Sequence, residues 1–254
     1  MSECGFIAPV ILAVILGLIL WPDSLQEKIK KRCETYLEKH GLPSQNDCEK
    51  IWDSFRQAFV EKDPCEVPPD AYDSLIHTVS QVSQEPTCNR MMFWSKTKEK
   101  VHEFAKKCSY VTLEDFLLGF LLDNLTWCGK SGSQETFTTG CPSWSDCVNN
   151  PVRSFWIQAS AAFAASACGD AFVMLDGAID MPYNPDSTFA SVEVKHFNSS
   201  IMKSLTVLLV TKEGDTKTCE SDESLKHLQT DLGSNLKYQC KVVPQSQLQT
   251  CIVD

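Results

Sequence analysis

The sequence predicts a two-lobed, disulfide-rich fold of mixed α+β or α/β class. Three observations carry that reading. Segments with helical periodicity come first along the chain, and short apolar runs that suit strands cluster late. Thirteen cysteines are dispersed over the whole length. The 254 residues suffice for one large domain or two modest lobes, and 43% hydrophobic with 22% charged residues is ordinary globular composition.

The elements follow in order. Residues 6–21 form an uncharged apolar run. It is short for a bilayer span, which takes about 20 residues, and long for a signal-peptide core. Glu3 precedes it and Lys28, Lys30, Lys31 and Arg32 follow, so charge bias alone would leave the body of the protein in the cytosol. The cysteines argue for the opposite side. Residues 1–23 are read as a signal peptide or single-pass membrane anchor, and 24–254 as the ectodomain.

Residues 24–40 and 47–62 read as amphipathic helices, the second carrying Ile51, Trp52, Phe55, Ala58 and Phe59 at helical spacing. Pro64, Pro68 and Pro69 stop it. Residues 70–83 and 95–107 are further helices. Thr112 reads as an N-cap with Asp115 at the N3 position. Residues 151–167, with Val152, Phe155, Trp156 and an alanine-rich run, read as a buried helix. Ala171–Leu175, Leu205–Thr211 and Leu236–Val243, with Met91–Trp94, are the strands of a small sheet.

Bulk properties exclude some functions. A net charge of −10 argues against a nucleic-acid partner, which needs a basic surface. A small phosphorylated ligand remains compatible, since backbone N–H groups and one or two cations can hold it. The cysteines include no Cys-x-x-Cys pair, and His40, His77, His102, His196 and His227 are scattered, so no metal site is expected. Dispersed cysteines in this number read as disulfides made in an oxidising compartment, extracellular or lumenal. Oligomeric state is not fixed by the sequence, and a homodimer is left open.

The stretch from Thr112 to Gly129 is the most informative. It sets Glu114, Asp115 and Asp123 in an apolar segment that ends Trp127-Cys128-Gly129. Charged groups rarely sit in such surroundings unless they are paired or used. With Phe93-Trp94-Ser95, Asn149–Trp156 and Ser187–Glu193 it resembles the ADP-ribosyl cyclase / cyclic ADP-ribose hydrolase family, over roughly residues 33 to 251. These enzymes break the nicotinamide–ribose bond of NAD.

The resemblance implies a helical lobe (about 24–87 and 112–167) beside an α/β lobe (about 88–111 and 168–254) with a mostly parallel sheet. It also implies disulfides Cys33–Cys48, Cys65–Cys147, Cys88–Cys168, Cys128–Cys141 and Cys219–Cys240. Cys88–Cys168 would pin two lobe crossings where a cleft forms. Cys108 and Cys251 either pair with one another or are both free.

The chemistry sets the requirements for the site. Nicotinamide leaves NAD neutral, so no general acid is needed. Positive charge develops on the ribose, and one carboxylate beneath it stabilises the transition state or forms an intermediate. By resemblance that residue is Glu193, although Val192–Lys195 alone reads as an alternating edge strand with an exposed glutamate. Trp94 and Trp156 are expected to sandwich a flat ring. Glu114 and Asp123 are expected on the nicotinamide side, with Glu114 influencing cyclisation against hydrolysis. Nine residues apart, they would lie on opposite sides of a regular helix, so a break is required, with Gly119 the candidate.

Asp115 is read equally as helix-dipole compensation. Ser95, Lys96, Ser160, Thr188 and Phe189 are expected at the phosphates and ribose. Lys96 stands where a relative has Arg, which loses a bidentate fork. Ala190 stands where Gly is usual, and Thr188 where cyclising members carry an aromatic. NAD or NADP is then the substrate and no cofactor is expected. Two sequons occur, at Asn198, read as a surface glycan site, and at Asn124, read as unmodified within the apolar block. Lys96 and Ala190 also motivate a second reading, a binding ectodomain that has lost catalysis.

Overall fold

The computed structural model describes residues 24–42, 47–83 and 87–251. Cys4 and the apolar run at 6–21 lie outside the described residues. No described helix is long and apolar enough to cross a membrane.

Helix α1 (Leu25–Lys39) opens on a capping box, in which Ser24 Oγ accepts from the Glu27 N–H and the Glu27 carboxylate accepts from the Ser24 N–H. It buries Leu25, Ile29, Cys33, Tyr36 and Leu37, one face at helical spacing. Helix α2 (Asp47–Gln57) buries Ile51, Trp52 and Phe55. It ends five residues before the sequence expectation, and Glu61 then takes a left-handed φ of +60°. A 3₁₀ turn (Pro69–Tyr72) leads into α3 (Asp73–Val82).

Strand β1 (Met92–Ser95) precedes α4 (Lys98–Cys108). The helix starts later than the expected residue 95 because Trp94 and Ser95 stay in the strand and Lys96 takes φ +61°. A 3₁₀ turn (Leu113–Asp115) and α5 (Leu117–Leu122) follow. Next come the hairpin strands β2 (Cys128–Lys130) and β3 (Ser133–Phe137), then α6 (Pro151–Ala165) and β4 (Gly169–Asp176). A π-helical turn (Phe189–Glu193) runs into the short α7 (Val194–His196). Strand β5 (Met202–Thr211), α8 (Glu223–Leu232) and β6 (Lys237–Pro244) close the described chain with a 3₁₀ turn (Gln245–Gln249).

The main sheet has the order β1-β4-β5-β6 and is parallel throughout, with Trp94 opposite Met174 and Val207 opposite Cys240. Parallel sheets need both faces covered. One face joins the helices in a continuous core that includes Phe55, Trp127, Phe155, Val173, Leu205 and Leu209. The other is covered by α4 and the last 3₁₀ turn through Val101, Phe104, Leu208 and Leu248. Strand β5 is therefore buried at nine of ten positions, with an apolar stretch at Val207–Val210.

Six disulfides tie the fold: Cys33–Cys48, Cys65–Cys147, Cys88–Cys168, Cys108–Cys251, Cys128–Cys141 and Cys219–Cys240. Each restricts the unfolded chain by about 2–4 kcal/mol. Cys108 thus pairs with Cys251. The Cys88–Cys168 bridge lies just before β1 and β4, where Asn89 Oδ1 also accepts from the Asp170 N–H at 2.9 Å. It joins the segments leading into β1 and β4, at the opposite end of the strands from the cleft described next.

Candidate active site

A cleft of about 480 Å³ opens at the carboxyl end of β1, a volume that suits a nucleotide-sized ligand. Trp94, Ser95 and Lys96 reach it from the end of β1, Glu114 from the 3₁₀ turn, and Asp123 from the end of α5. Trp156 and Ser160 reach it from α6, one helical turn apart, and Thr188, Phe189 and Glu193 from the π-helical turn. All ten residues named from the sequence line this one cleft.

Glu193 does not stand on an edge strand. The turn that carries it is drawn inward, with Phe189, Ala190, Val192 and Val194 all buried, and Glu193 itself is 7% exposed. Ser187 organises the turn: its Oγ donates to Asn184 O at 2.7 Å and accepts from the Ala190 N–H at 3.2 Å, and its carbonyl accepts from Ser191. Burial pushes the Glu193 carboxyl up to about 8. A hydrogen bond from Ser160 opposes that shift, and the neighbouring charge of Glu114 adds to it.

The break between Glu114 and Asp123 falls at Phe116, whose ψ of 153° separates the 3₁₀ turn from α5. Gly119 has a different role, since it lets α5 lie against the turn. Asp123 is then held at the end of α5. Arg32 donates to the carbonyls of Phe120, Leu121 and Asp123 at 3.4, 3.0 and 2.8 Å, a cation capping a helix C-terminus. The Asp123 side chain accepts from Lys98 at 2.9 Å. Asp115 accepts from the Thr112 N–H at 2.9 Å and from its hydroxyl at 3.0 Å, does not line the cleft, and serves as a cap.

Trp94 and Trp156 are half-buried rather than enclosed in the core, which leaves ring faces for a ligand. The sequence reading missed a third ring. Trp144, 46% exposed, lines the same cleft and carries the Arg153 guanidinium 5.9 Å from its centroid. A signal was present, because Trp144 lies between Cys141 and Cys147 and both are tied down by disulfides. Lys98 and Asp186 were also missed. Asn124 is exposed at the rim with φ +57°, so it is not enclosed in the apolar block as expected.

A family model described as ADP-ribosyl cyclase matches residues 22–254. The chain belongs to the ADP-ribosyl cyclase family. It is 38% identical to the rabbit (Oryctolagus cuniculus) ADP-ribosyl cyclase/cyclic ADP-ribose hydrolase 1 over 202 residues, 75% of this chain and 67% of the relative. It is 32% identical to the Aplysia kurodai ADP-ribosyl cyclase/cyclic ADP-ribose hydrolase over 222 residues, 82% of this chain and 78% of that one. Porcine CD38, solved with a covalent intermediate, superimposes with a TM-score of 0.77 at 37% identity, covering 87% of this chain and 96% of that one. The match spans 67%, 62% and 65% of the rabbit, rat and mouse relatives' lengths.

Against that family background, Ala190 sits in the π-helical turn with an ordinary negative φ, so its methyl requires no left-handed backbone. Lys96 is exposed at the cleft mouth.

Proposed function

We propose that this chain is an extracellular or lumenal enzyme that breaks the nicotinamide–ribose bond of NAD or NADP. The products are nicotinamide with ADP-ribose or cyclic ADP-ribose, and cyclic ADP-ribose is hydrolysed at the same site. The observation that carries this reading is a glutamate, Glu193, buried in a cleft walled by tryptophans and fringed by lysines.

The roles follow from the chemistry. Trp94 and Trp156 take the flat rings of the substrate, and their π faces favour the cationic nicotinamide. Glu114 and Asp123 lie on the carboxamide side. As the bond lengthens, positive charge appears on the ribose, and the Glu193 carboxylate beneath it stabilises that charge or bonds to it. Water then gives the linear product, or the adenine ring attacks to give the cyclic one. Ser95, Lys96, Ser160, Thr188 and Phe189 hold the ribose and phosphates. NAD serves as substrate rather than as a resident cofactor. In this reading the helical lobe (24–87, 112–167) and the α/β lobe (88–111, 168–254) meet at the cleft.

Chromatography of the products from oxidatively folded 24–254 with NAD tests the reading. Nicotinamide with either ribosyl product is expected. Intact NAD from a well-folded chain that still binds it would move the assignment to a binding ectodomain.

The pH dependence gives a second test. The working form of Glu193 is the carboxylate, and burial holds its carboxyl at about 8 in the free protein. The cationic ring of the substrate favours the carboxylate on binding. Thus kcat/KM is expected to rise with pH towards a plateau above about 8, and the kcat limb to lie lower. A kcat/KM that falls between pH 6 and 8 would contradict the role. The compartment is tested by N-glycosidase digestion of protein made in a secretory cell. A shift is expected at exposed Asn198, and its absence would argue against that compartment.

A further inference from the structure

A histidine stands behind the wall of the cleft that carries Glu114. His102, on α4, turns its ring towards the 3₁₀ turn that carries Glu114. His102 Nε2 and Glu114 Oε2 face each other across 3.9 Å. Both atoms are buried, and neither has a hydrogen-bond partner among the described residues. Trp94 packs against the same imidazole edge-to-face, with centroids 6.1 Å apart, so the ring is fixed by one wall of the cleft.

The other ring nitrogen has a neighbour of its own. His102 Nδ1 lies 3.4 Å from Thr112 Oγ1. The single hydroxyl proton of Thr112 is given to Asp115 Oδ2 at 3.0 Å, and an ionised carboxylate only accepts. Thr112 Oγ1 therefore accepts from Nδ1–H. In a neutral imidazole with Nδ1 protonated, Nε2 is a lone pair. It would then point at a carboxylate oxygen, two acceptors facing one another in a buried site, which is unfavourable. One proton between them relieves this, held either as imidazolium with carboxylate or as imidazole with carboxylic acid.

We propose that His102 is a positioning residue of this site: it and Glu114, facing each other across 3.9 Å, hold one proton between the two groups, and so set the charge that the pair presents to the bound substrate. With the proton present the pair is neutral overall, and Glu193 faces no bare second anion. With the proton lost, Glu114 carries a full negative charge. The cleft thus changes by one charge through an ionisation that belongs to the pair.

Other charged groups are turned elsewhere. Lys98, one turn back on α4, is paired with Asp123, and Glu99, Glu103 and Lys106 are exposed. Asp115 is linked to His102 through the Thr112 hydroxyl. From β1 the ring meets Trp94, which does not titrate. Across the cleft, Glu114 acts by its charge on Glu193.

The charge role rests on the proposed reaction, whereas the shared proton does not, and the experiment separates them. ¹⁵N NMR of the imidazoles of the disulfide-bonded chain is recorded against pH, with His102 assigned through His102→Gln. In Glu114→Gln, the Nε2 resonance of His102 is expected to move towards that of an unprotonated nitrogen, because the carboxylate facing it is gone. An identical titration in wild type and Glu114→Gln overturns the shared proton, whether or not the protein turns over NAD.

For the charge role, His102→Gln keeps an amide N–H for Glu114 but has no proton to exchange. Its pH profiles of kcat and of the cyclic-to-linear product ratio are expected to lack one ionisation that wild type shows. Profiles that follow the wild type at every pH overturn the role, and a merely structural histidine would change yield or stability without altering their shape.

Discussion

Replacing Glu193 by Gln is expected to cut kcat on the order of 10³-fold while making the protein more stable. The two effects share one cause. The carboxylate that meets the ribosyl cation is held in a place that disfavours charge, 7% exposed and with Glu114 nearby. The sign of the stability effect follows from linkage. The folded value of about 8 lies above the ordinary 4.5, so the folded state binds a proton that the unfolded state releases. Wild type suffers no penalty below pH 4.5, loses stability progressively as pH rises from there, and loses no more above about 8. Near pH 7 the loss is roughly 3 kcal/mol, to order of magnitude.

The Glu193→Gln variant carries no such penalty, and its amide can keep the hydrogen bond with Ser160. Its melting temperature should exceed that of wild type by about 5–10 °C at pH 7, with a gap that grows from pH 5 to pH 8. Calorimetry at three pH values, alongside turnover assays, checks both halves. A variant that turns over normally would remove Glu193 from the chemistry. One that melts below wild type at pH 8 would show that the burial is not costly.

The same residue shows how far the sequence could be read. Val192-Glu193-Val194 has the alternation of a half-exposed strand, and local pattern favours that reading. All three side chains are nevertheless buried, because Ser187 winds the segment into a π-helical turn whose inner face meets α6. A wide turn of that kind leaves no mark in a period-two or period-3.6 count. The parallel strands were legible, since burial on both faces produces apolar stretches such as Val207–Val210 in β5.

Helix α8 and the β2–β3 hairpin were legible in principle and were not read. Leu225, Leu228 and Leu232 repeat at helical spacing behind the N-cap Asp222, and Gly132, with φ +70°, marks the turn between the strands. Trp144 was visible only as a tryptophan between two cysteines. Its place at the cleft depends on both of their disulfides, with Cys65 and Cys128, and no local pattern encodes that. The need for a break between Glu114 and Asp123 followed from helical geometry once the family resemblance put both in one pocket. Its location at Phe116 rather than Gly119 did not, because a glycine can permit a close approach as readily as a bend.

Gly119→Ala tests that distinction and should be damaging where intrinsic propensity says it should help. In the interior of a helix Ala is better than Gly by about 1 kcal/mol. Here a Cβ at position 119 would lie 2.2 Å from the Leu113 carbonyl oxygen and 2.9 Å from Glu114 Cα. Those are backbone atoms, so no side-chain rotation relieves the contact. Regaining an ordinary separation of 3.4 Å moves the turn, or α5, by about 1.2 Å.

The turn carries Glu114 and α5 carries Asp123, so either movement shifts one carboxylate of the cleft relative to Glu193. A displacement of that size can cost about 10²-fold in rate, and overpacking of this kind costs about 1–3 kcal/mol. The variant is therefore expected to unfold at lower urea than wild type and to lose kcat. Its product ratio should shift in the same direction as that of Glu114→Gln. Urea titration with product analysis separates the outcomes. A loss of stability with an unchanged product ratio would mean that α5 yields and the turn stays in place. Unchanged stability and turnover together would mean that the close approach at Gly119 has no part in holding Glu114.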